Sequence, residues 1–327
     1  MNRMGYTQKT VVIVALLAFT LGGVAGALLR RPAGALVRAL PARLGLEQAS
    51  ATPTTAAPPI PTAVPAVIPA AYQGRLRLFL LAGQSNMSGY SSLPERQSSP
   101  HPRILVFGND YRWRLGTEPV DAATGQVDPV SEDRDAGFGP SMAFARALVA
   151  AQPDAAIGLI PCAKGNTTIA DWARNLSEDT LYGSCLKRAR AASPMGEIAG
   201  LLFFQGESDA ADPLRYPGRA RTAAGYAAAF AAFVEALRAD LGEPLLPVVF
   251  AQIGSHQAPQ AYTEWATVQA EQASVALPCV AMIITADLPL HDAEHYTPEA
   301  YETIGERFAE ALLRVEQEQG CGGSSAQ

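Results

Sequence analysis

Three short polar clusters in this sequence contain the residue types that acyl transfer requires. They are Gly83-Gln84-Ser85-Asn86-Met87, Gln205-Gly206-Glu207-Ser208-Asp209 and Asp292-Ala293-Glu294-His295. A serine hydroxyl is a weak nucleophile until a base removes its proton, and an acid must hold that base in the correct tautomer. Ser85, His295 and Asp292 can supply these roles, so we predict that they form a nucleophile, base and acid triad.

The base is chosen from only four histidines. His101 and His256 lie in segments typical of solvated loops. Asp292 precedes His295 by three residues at the entry to a predicted helix. Its carboxylate can therefore reach one imidazole nitrogen while the other nitrogen faces Ser85.

The same segment also fits a metal-binding pattern. His291-Asp292-Ala293-Glu294-His295 has the H-x-x-E-H spacing of certain zinc peptidases, in which a helix brings the two histidines together. Here the segment follows Leu288-Pro289-Leu290 and ends before Thr297-Pro298, which favours a loop, and the sequence offers no evident third ligand. We therefore predict no metal and no cofactor.

Ester cleavage also needs donors for the oxyanion that develops on the carbonyl group, each worth on the order of 3 kcal/mol. The segment Gly137-Phe138-Gly139-Pro140 precedes an apolar helical pattern and can present a backbone N–H beside that of Ser85. Gln205 ends a predicted strand, and its side-chain amide is a further candidate. Glu207 is predicted to support the loops, because Asp292 already stands beside the histidine.

The elements that must position these clusters alternate between strands and helices from Arg75 onward. Apolar runs of strand length occur at 76–82, 104–107, 156–161, 199–204, 246–253 and 280–285. Apolar residues at three- and four-residue spacing predict helices from Tyr226 to Leu241 and after Thr297-Pro298. This alternation predicts an α/β fold with a mostly parallel sheet covered on both faces. Ligands of such sheets bind beyond the carboxyl ends of the strands, where the polar clusters fall.

The first part of the chain is organised differently. An apolar run from Val11 to Leu29, flanked by basic residues, predicts a signal peptide or N-terminal membrane anchor over residues 1–31, and both remain open. Residues 32–71 form a predicted linker rich in Pro, Ala and Thr. The catalytic domain is expected over residues 72–318, followed by a disordered tail at 319–327. We accordingly expect an exported protein, either secreted or anchored at the cell surface.

The composition limits which other classes of protein this chain can belong to. The 327 residues are 48% hydrophobic, enough for a large core, and a formal net charge of -6 disfavours nucleic acid as a partner. The four cysteines, at positions 162, 185, 279 and 321, allow three pairings in an oxidising compartment, with buried free thiols as the alternative. None of them forms a C-x-x-C pair, so neither a zinc ribbon nor a thioredoxin-type site is expected.

The motifs together resemble those of the SGNH hydrolase superfamily, and within it the sialate O-acetylesterase-like carbohydrate esterases, including the plant-type acetylesterases. They are Gly-Gln-Ser-Asn-Met at 83–87, Gly-x-Gly-Pro at 137–140, Gly-Leu-Ile-Pro-Cys-Ala at 158–163, Gln-Gly-Glu-Ser-Asp at 205–209 and Asp-x-x-His at 292–295. They occur in the order found in that family and span nearly all of residues 76–316. The resemblance implies a three-layer α/β/α fold of the flavodoxin-like SGNH type and metal-free removal of O-acetyl groups from sugars through an acyl-enzyme.

The resemblance also implies roles for individual residues. Ser85, Asp292 and His295 would form the triad. The N–H groups of Ser85 and Gly139 and the side chain of Gln205 would stabilise the oxyanion, with the glycine at 137 as a competitor for the one at 139.

A further set of residues is predicted to support the site or to contact substrate: Gln84, Asn86, Glu207, Lys164 and Asn166. The segment Lys164-Gly165-Asn166-Thr167 departs from the Gly-Gly-Thr turn that related esterases often show. Lys164 there either favours an acidic sugar, such as a sialic or uronic acid, or is an ordinary surface lysine. Trp172 either stacks on a sugar ring or packs in the core.

The resulting expectation is a serine esterase that removes acetyl groups from carbohydrate, with acetylxylan-like or sialic acid-like esters as substrates. A general short-chain carboxylesterase and an inactive, tethered carbohydrate-binding protein are the alternatives. The first alternative would need a broad apolar acyl pocket, and the intact Ser85, Asp292 and His295 argue against the second. The expected partners are an acetylated carbohydrate and, if the N-terminal segment is retained, a membrane.

Overall fold

The described residues form a single mixed β-sheet. The structure is a computed structural model that describes residues 67–94, 99–122 and 125–321. The strands are β1 (Leu76–Gly83), β2 (Ile104–Phe107), β3 (Trp113–Leu115), β4 (Ile157–Pro161), β5 (Gly196–Phe204), β6 (Val248–Ala251) and β7 (Val280–Ile283). They lie in the order β3-β2-β4-β1-β5-β6-β7, and all neighbours are parallel except β2 and β3. The prediction of a mostly parallel sheet is confirmed.

Helices cover both faces of this sheet. They are α1 (Ser85–Ser88), α2 (Ser141–Ala151), α3 (Leu181–Ala192), α4 (Tyr226–Leu241), α5 (Trp265–Ser274) and α6 (Pro298–Gln319). Helices α2 and α6 pack together on one face, where Phe144 and Phe308 are buried in the core. Helices α3 and α4 lie on the other face and contribute Leu186 and Phe230 to a second core. The fold is therefore the predicted three-layer α/β/α sandwich.

The central strands are apolar except for Arg77 in β1 and Glu197 in β5, because nearly all of their residues are buried on both faces. In β1, Leu78 and Leu80 enter the core under α3 and α4, whereas Phe79 and Leu81 enter the core under α2 and α6. This assignment follows from the alternation of side chains along a strand. The parallel arrangement brings the carboxyl ends of β1 and β5 together, and the Gln84 and Gln205 clusters follow these ends directly.

Most elements lie close to their predicted positions. The six predicted strands all occur, and the Oγ1 atom of Thr297 accepts the N–H of Ala300 at 3.3 Å at the start of α6, with Pro298 as the first helical residue. Strand β3 was not predicted. It is only three residues long and carries Arg114 at its centre, so it has no apolar run to identify it.

The four cysteines form two disulfides. Cys162 at the end of β4 is bonded to Cys185 in α3, and Cys279 before β7 is bonded to Cys321 after α6. The structure thus selects one of the three pairings that the spacing left open. The alternative of buried free thiols is wrong for all four residues.

The predicted domain limits need correction at both ends. Ile68, placed in the linker, is 7% exposed and belongs to the core. Helix α6 reaches Gln319, and the disulfide-bonded Cys321 is 1% exposed, so the disordered tail cannot begin at residue 319. The predicted signal or anchor segment 1–31, the linker as far as residue 66 and the tail from residue 322 lie outside the described residues. Within the described ranges, no helix has the length and apolar character needed to cross a bilayer.

Candidate active site

Ser85, His295 and Asp292 meet at the carboxyl edge of the sheet, although 210 residues separate the serine from the histidine. The Nε2 atom of His295 lies 2.9 Å from Oγ of Ser85, and its Nδ1 atom lies 2.7 Å from Oδ2 of Asp292. The tautomer that fits both contacts donates Nδ1–H to the carboxylate and accepts the serine hydroxyl at Nε2. Ser85 is 3% exposed and the His295 side chain 13% exposed, whereas the Asp292 side chain is 41% exposed, so the relay is shielded from bulk water at the serine end.

The Asp292 carboxylate is held by three donors of its own loop. Its Oδ1 atom accepts the N–H of Glu294 at 2.9 Å and of His295 at 2.8 Å, and its Oδ2 atom accepts the imidazole N–H. Burial opposes ionisation of Asp292, but these hydrogen bonds outweigh burial and lower its pKa. Asp292 is therefore ionised at neutral pH and favours the imidazole tautomer with its hydrogen on Nδ1.

A tight turn between β1 and α1 positions Ser85. Gly83 has a φ of +133°, and a Cβ atom there would lie 2.1 Å from the carbonyl oxygen of Phe204 on β5, so only glycine fits. Ser85 is the first residue of α1, and an N–H at this position has no acceptor within its own helix. This amide is therefore available beside the hydroxyl as an oxyanion donor.

The backbone of the glycine segment 137–140, which precedes α2, packs directly against the backbone that follows the nucleophile turn. A Cβ atom built on Gly139 would lie 2.8 Å from Cα of Gly89, which follows α1. The N–H of Gly137 donates to the carbonyl of Gly89 at 2.5 Å and is thereby occupied. The N–H of Gly139 is directed in part toward the buried Glu118, where it is one of several groups that oppose the rise in pKa caused by burial. Of the two glycines, Gly139 is the one that stays a candidate donor.

The expectation that Gln205 donates to the oxyanion needs correction. Its side-chain nitrogen donates to the carbonyl of Thr167 at 2.9 Å and to the carboxylate of Asp209, and it lies 3.2 Å from Oε1 of Gln84. Gln205 is 0% exposed, and its two amide hydrogens are used within the protein. It supports the loops instead. Gln84 also accepts the N–H of Ser208 at 3.2 Å and so ties the nucleophile turn to the loop after β5.

Asn86 connects the nucleophile turn to three other segments. Its side-chain nitrogen donates to the carboxyl of Glu207 and to the backbone carbonyl of Glu294 at 3.1 Å, and its oxygen accepts the hydroxyl of Tyr301 at 2.6 Å. Burial, together with the nearby Glu294 charge, raises the pKa of Glu207 to about 8, so most Glu207 side chains are protonated at neutral pH. Asn86 and Glu207 thus hold the histidine loop against α1.

Tyr90 is a site residue that the sequence patterns did not identify. Its ring lies on the imidazole of His295, with 4.9 Å between centroids and 31° between planes. Its hydroxyl donates to Asp133 at 2.7 Å, and this buried carboxylate also accepts from Ser88 at 3.0 Å and from the N–H of Gly165 at 2.8 Å. Tyr90, itself held by Asp133, therefore restrains the orientation of the imidazole.

Comparison with known proteins places the chain among the carbohydrate esterases. Residues 75–314 match the family described as carbohydrate esterase, sialic acid-specific acetylesterase. The chain belongs to this family. The esterase is 32% identical over 257 residues to a probable carbohydrate esterase of Arabidopsis thaliana, over 72% of this chain and 90% of the relative. The X-ray structure of an Arabidopsis thaliana protein matches it with a TM-score of 0.61 and 31% identity, over 73% of this chain and 98% of that one.

A second relative carries a more specific name. The esterase is 26% identical over 169 residues to a probable 9-O-acetyl-N-acetylneuraminic acid deacetylase of Escherichia coli K12, over 39% of this chain and 52% of the relative. The resemblance to sialate O-acetylesterase-like enzymes of the SGNH type is thus confirmed, and the protein is an enzyme of the carbohydrate acetylesterase family.

In the segment 164–167, where the esterase departs from its family, the side chains of Lys164 and Asn166 both form hydrogen bonds within the protein. The ammonium group of Lys164 donates to the carbonyl of Glu132, and Oδ1 of Asn166 accepts from Arg219. Both residues line a cavity of about 560 Å³ that extends toward the start of α3. The structure brings them together there, whereas no hydrogen bond joins either side chain to the Ser85 relay among the described residues.

Trp172 belongs to the core. It is 0% exposed, and its ring packs edge-on against Phe203 and Phe233 with centroid distances of 5.9 and 5.8 Å. Of its two expected roles, packing is therefore the one that the structure supports.

The residues that could attract a metal are those of the relay. Possible ligand atoms of His291, Asp292 and His295 lie within 4.8 Å of one another. However, this segment is a loop, and Nε2 of His291 lies 3.1 Å from the carbonyl of Tyr90. Nδ1 of His295 and Oδ2 of Asp292 are already hydrogen-bonded to each other.

Proposed function

We propose that this esterase removes O-acetyl groups from carbohydrate through an acetyl-enzyme formed on Ser85. The observation that carries the proposal is the relay, with 2.9 Å from Oγ of Ser85 to Nε2 of His295 and 2.7 Å from Nδ1 to Asp292. At these distances the imidazole can take the serine proton directly. The arrangement supports acyl transfer to serine followed by hydrolysis.

Acylation begins when Oγ of Ser85 attacks the ester carbonyl carbon while Nε2 of His295 takes the hydroxyl proton. Asp292 stabilises the imidazolium that forms. The N–H groups of Ser85 and Gly139 are the proposed donors to the oxyanion. The bond to the sugar oxygen then breaks, and Nε2 donates its proton to that oxygen. Water attacks the acetyl carbon while His295 again takes a proton. The bond from this carbon to Oγ of Ser85 then breaks, Nε2 returns the proton to Oγ, and acetic acid leaves and ionises to acetate.

The proposed substrate is an acetylated sugar. The family is one of carbohydrate esterases, and the relatives carry the names carbohydrate esterase and 9-O-acetyl-N-acetylneuraminic acid deacetylase. Acetylxylan-like and sialic acid-like esters are therefore the two classes to compare. The contact of Lys164 with the Glu132 carbonyl gives no support for choosing the acidic sugar on the basis of that lysine.

We further propose that the enzyme works outside the cytoplasm. Its two disulfides support this, because disulfides persist in oxidising compartments and are rare in the cytosol. The apolar segment 11–29 would direct export, as a cleaved signal or as a retained membrane anchor. Cell fractionation tests this proposal: activity in the medium indicates cleavage, activity in the membrane fraction indicates an anchor, and activity confined to the cytosol contradicts export.

Acetate release from acetylated xylan and from 9-O-acetyl-N-acetylneuraminic acid tests the proposed reaction. The full-length enzyme should act on at least one of them, and Ser85→Ala should lower kcat by roughly 10⁴-fold or more. Ser255→Ala, which changes an exposed serine of another loop, is the matched control and should retain activity. Unchanged turnover in Ser85→Ala would remove Ser85 as the nucleophile. Cleavage of 4-nitrophenyl octanoate without release from either sugar would indicate a general carboxylesterase.

A further inference from the structure

The loop that carries His295 presents a second carboxyl group to the reacting atoms. Oε1 of Glu294 lies 3.9 Å from Nε2 of His295, the imidazole nitrogen that faces Ser85. Asp292 occupies the other nitrogen, Nδ1. The imidazole therefore has one carboxyl group at Nδ1 and a second one near Nε2, the nitrogen beside which the ester must bind.

The backbone of Glu294 is held independently of its side chain. Its N–H donates to Oδ1 of Asp292 at 2.9 Å, and its carbonyl accepts from Asn86 at 3.1 Å. The side chain can therefore be shortened without loss of the bonds that place the histidine loop. Because its backbone is fixed by these bonds, the Glu294 side chain can be tested by substitution with the loop left in place.

The surroundings of the Glu294 carboxyl leave it as an acceptor. Its Oε2 atom is buried and has no hydrogen-bond partner among the described residues, and the side chain as a whole is 19% exposed. The neighbouring Glu207 is 1% exposed and mostly protonated at neutral pH, since its pKa is raised to about 8. Burial and a hydrogen bond to Glu294 raise the pKa of Tyr262 well above its ordinary value, so the Tyr262 hydroxyl remains a donor beside this carboxyl.

The chemistry of the leaving group indicates what Glu294 meets. Nε2 must give its proton to the sugar oxygen, so that oxygen has to come within hydrogen-bond distance of Nε2. In a sugar, the carbon next to the acetylated one ordinarily carries a hydroxyl. A carboxylate 3.9 Å from Nε2 is placed to accept a hydrogen bond from this neighbouring hydroxyl.

We propose that Glu294 accepts a hydrogen bond from the free hydroxyl next to the acetylated position and thereby selects sugars that carry one acetyl group on a pair of neighbouring hydroxyls. The inference rests on the proposed function and specifies its substrate class. Sugars whose neighbouring hydroxyl is acetylated or missing are poor substrates, because they make no hydrogen bond to Glu294.

Kinetics on matched esters test this assignment with the full-length enzyme. The pairs are methyl 2-O-acetyl-β-D-xylopyranoside with its 3-deoxy analogue, and 9-O-acetyl-N-acetylneuraminic acid with its 8-deoxy analogue. On whichever parent is cleaved, Glu294→Ala should lower kcat/KM by roughly 10- to 100-fold, the range for a lost hydrogen bond to a charged group. The same variant should change kcat/KM on the deoxy analogue by less than about three-fold, because that ester makes no such bond.

Two further variants make the comparison specific. Glu294→Gln keeps the shape of the side chain and removes its charge. Its kcat/KM on the parent ester should therefore lie between the values for wild type and for Glu294→Ala. Glu302→Ala removes an exposed carboxylate from α6 and should leave both substrates unaffected.

The outcomes separate this inference from the proposed function. Equal losses on parent and deoxy esters in Glu294→Ala would overturn it and assign the side chain to the imidazole charge or to the fold. Unchanged kcat/KM on the parent would overturn it as well. Acetate release from neither parent, with Ser85-dependent cleavage of 4-nitrophenyl acetate, would overturn the carbohydrate substrate together with the inference.

Discussion

Replacement of Asp292 by asparagine exchanges one carboxylate oxygen for an NH₂ group, and we predict that this changes the tautomer of the His295 imidazole. Oδ1 of Asp292 accepts two backbone N–H groups, those of Glu294 at 2.9 Å and His295 at 2.8 Å. Asparagine can satisfy both donors only with its carbonyl oxygen, so its NH₂ group must face Nδ1 of His295. Nδ1 must then accept a hydrogen bond, and Nε2 carries the hydrogen. In that tautomer Nε2 cannot take the proton of Ser85.

The expected loss can be stated for both activity and stability. The equivalent change in a serine protease triad lowers kcat by about 10⁴-fold, which corresponds to about 5.5 kcal/mol, and we expect the same order here. The free energy of unfolding should change little, because asparagine keeps both backbone hydrogen bonds. Asp292→Ala is the matched control. It loses both bonds of a side chain that is 41% exposed, so it should cost about 1–2 kcal/mol of stability while leaving the imidazole free to choose its tautomer.

The assay is the initial rate of acetate release, with thermal unfolding measured on the same samples. Asp292→Asn should have the lower kcat and Asp292→Ala the lower Tm. A kcat for Asp292→Asn within ten-fold of wild type, or above that of Asp292→Ala, would refute the reasoning. Because folding lowers the pKa of Asp292, its contribution to stability is present above the unfolded-state value of about 4 and is lost as the pH falls through the lower folded value. The stability difference between wild type and Asp292→Ala should therefore shrink in acid.

Two further predictions concern stability. Burial raises the pKa of Glu207 from 4.5 to about 8, so between these pH values the unfolded state has lost a proton that the folded state keeps, and wild-type stability falls as the pH rises. The Tm of Glu207→Gln relative to wild type should therefore be higher at pH 8 than at pH 5. A difference in Tm that does not change with pH would contradict the buried, protonated form. Replacing both Cys162 and Cys185 by serine opens a link across 23 residues and should cost about 3 kcal/mol in urea unfolding, whereas an unchanged free energy of unfolding would argue that the bond adds no constraint.

The sheet and the residue types of the site could be predicted because local patterns carry them. Strand β1 is apolar except for Arg77, since both of its faces are buried, and α6 begins with the Thr297 cap and Pro298. The choice of His295 followed from the scarcity of histidine and from Asp292 three residues earlier. These signals lie within a few residues of each other, so they can be read without knowledge of the folded chain.

Contacts between distant loops could not be predicted in this way. Tyr90 meets His295 only because two loops close over the same sheet edge, and the spacing of the residues gives no indication of it. Gln205 lies at a strand end as expected, but its amide is directed by Thr167 and Asp209 from other segments. Cysteine pairing likewise depends on which strand and helix ends meet in space.

The relay joins residues 85 and 295 across most of the domain, and this separation has a consequence for biosynthesis. The chain is made from its N-terminus, so the nucleophile and every strand of the sheet are synthesised before the histidine. Helix α6, which follows the histidine, then supplies Tyr301 to the Asn86 side chain beside the nucleophile. A chain that ends before residue 292 therefore has no base and no completed support for its serine. The relay and its support at Asn86 can therefore assemble only after residues 292–301 have been added to the chain.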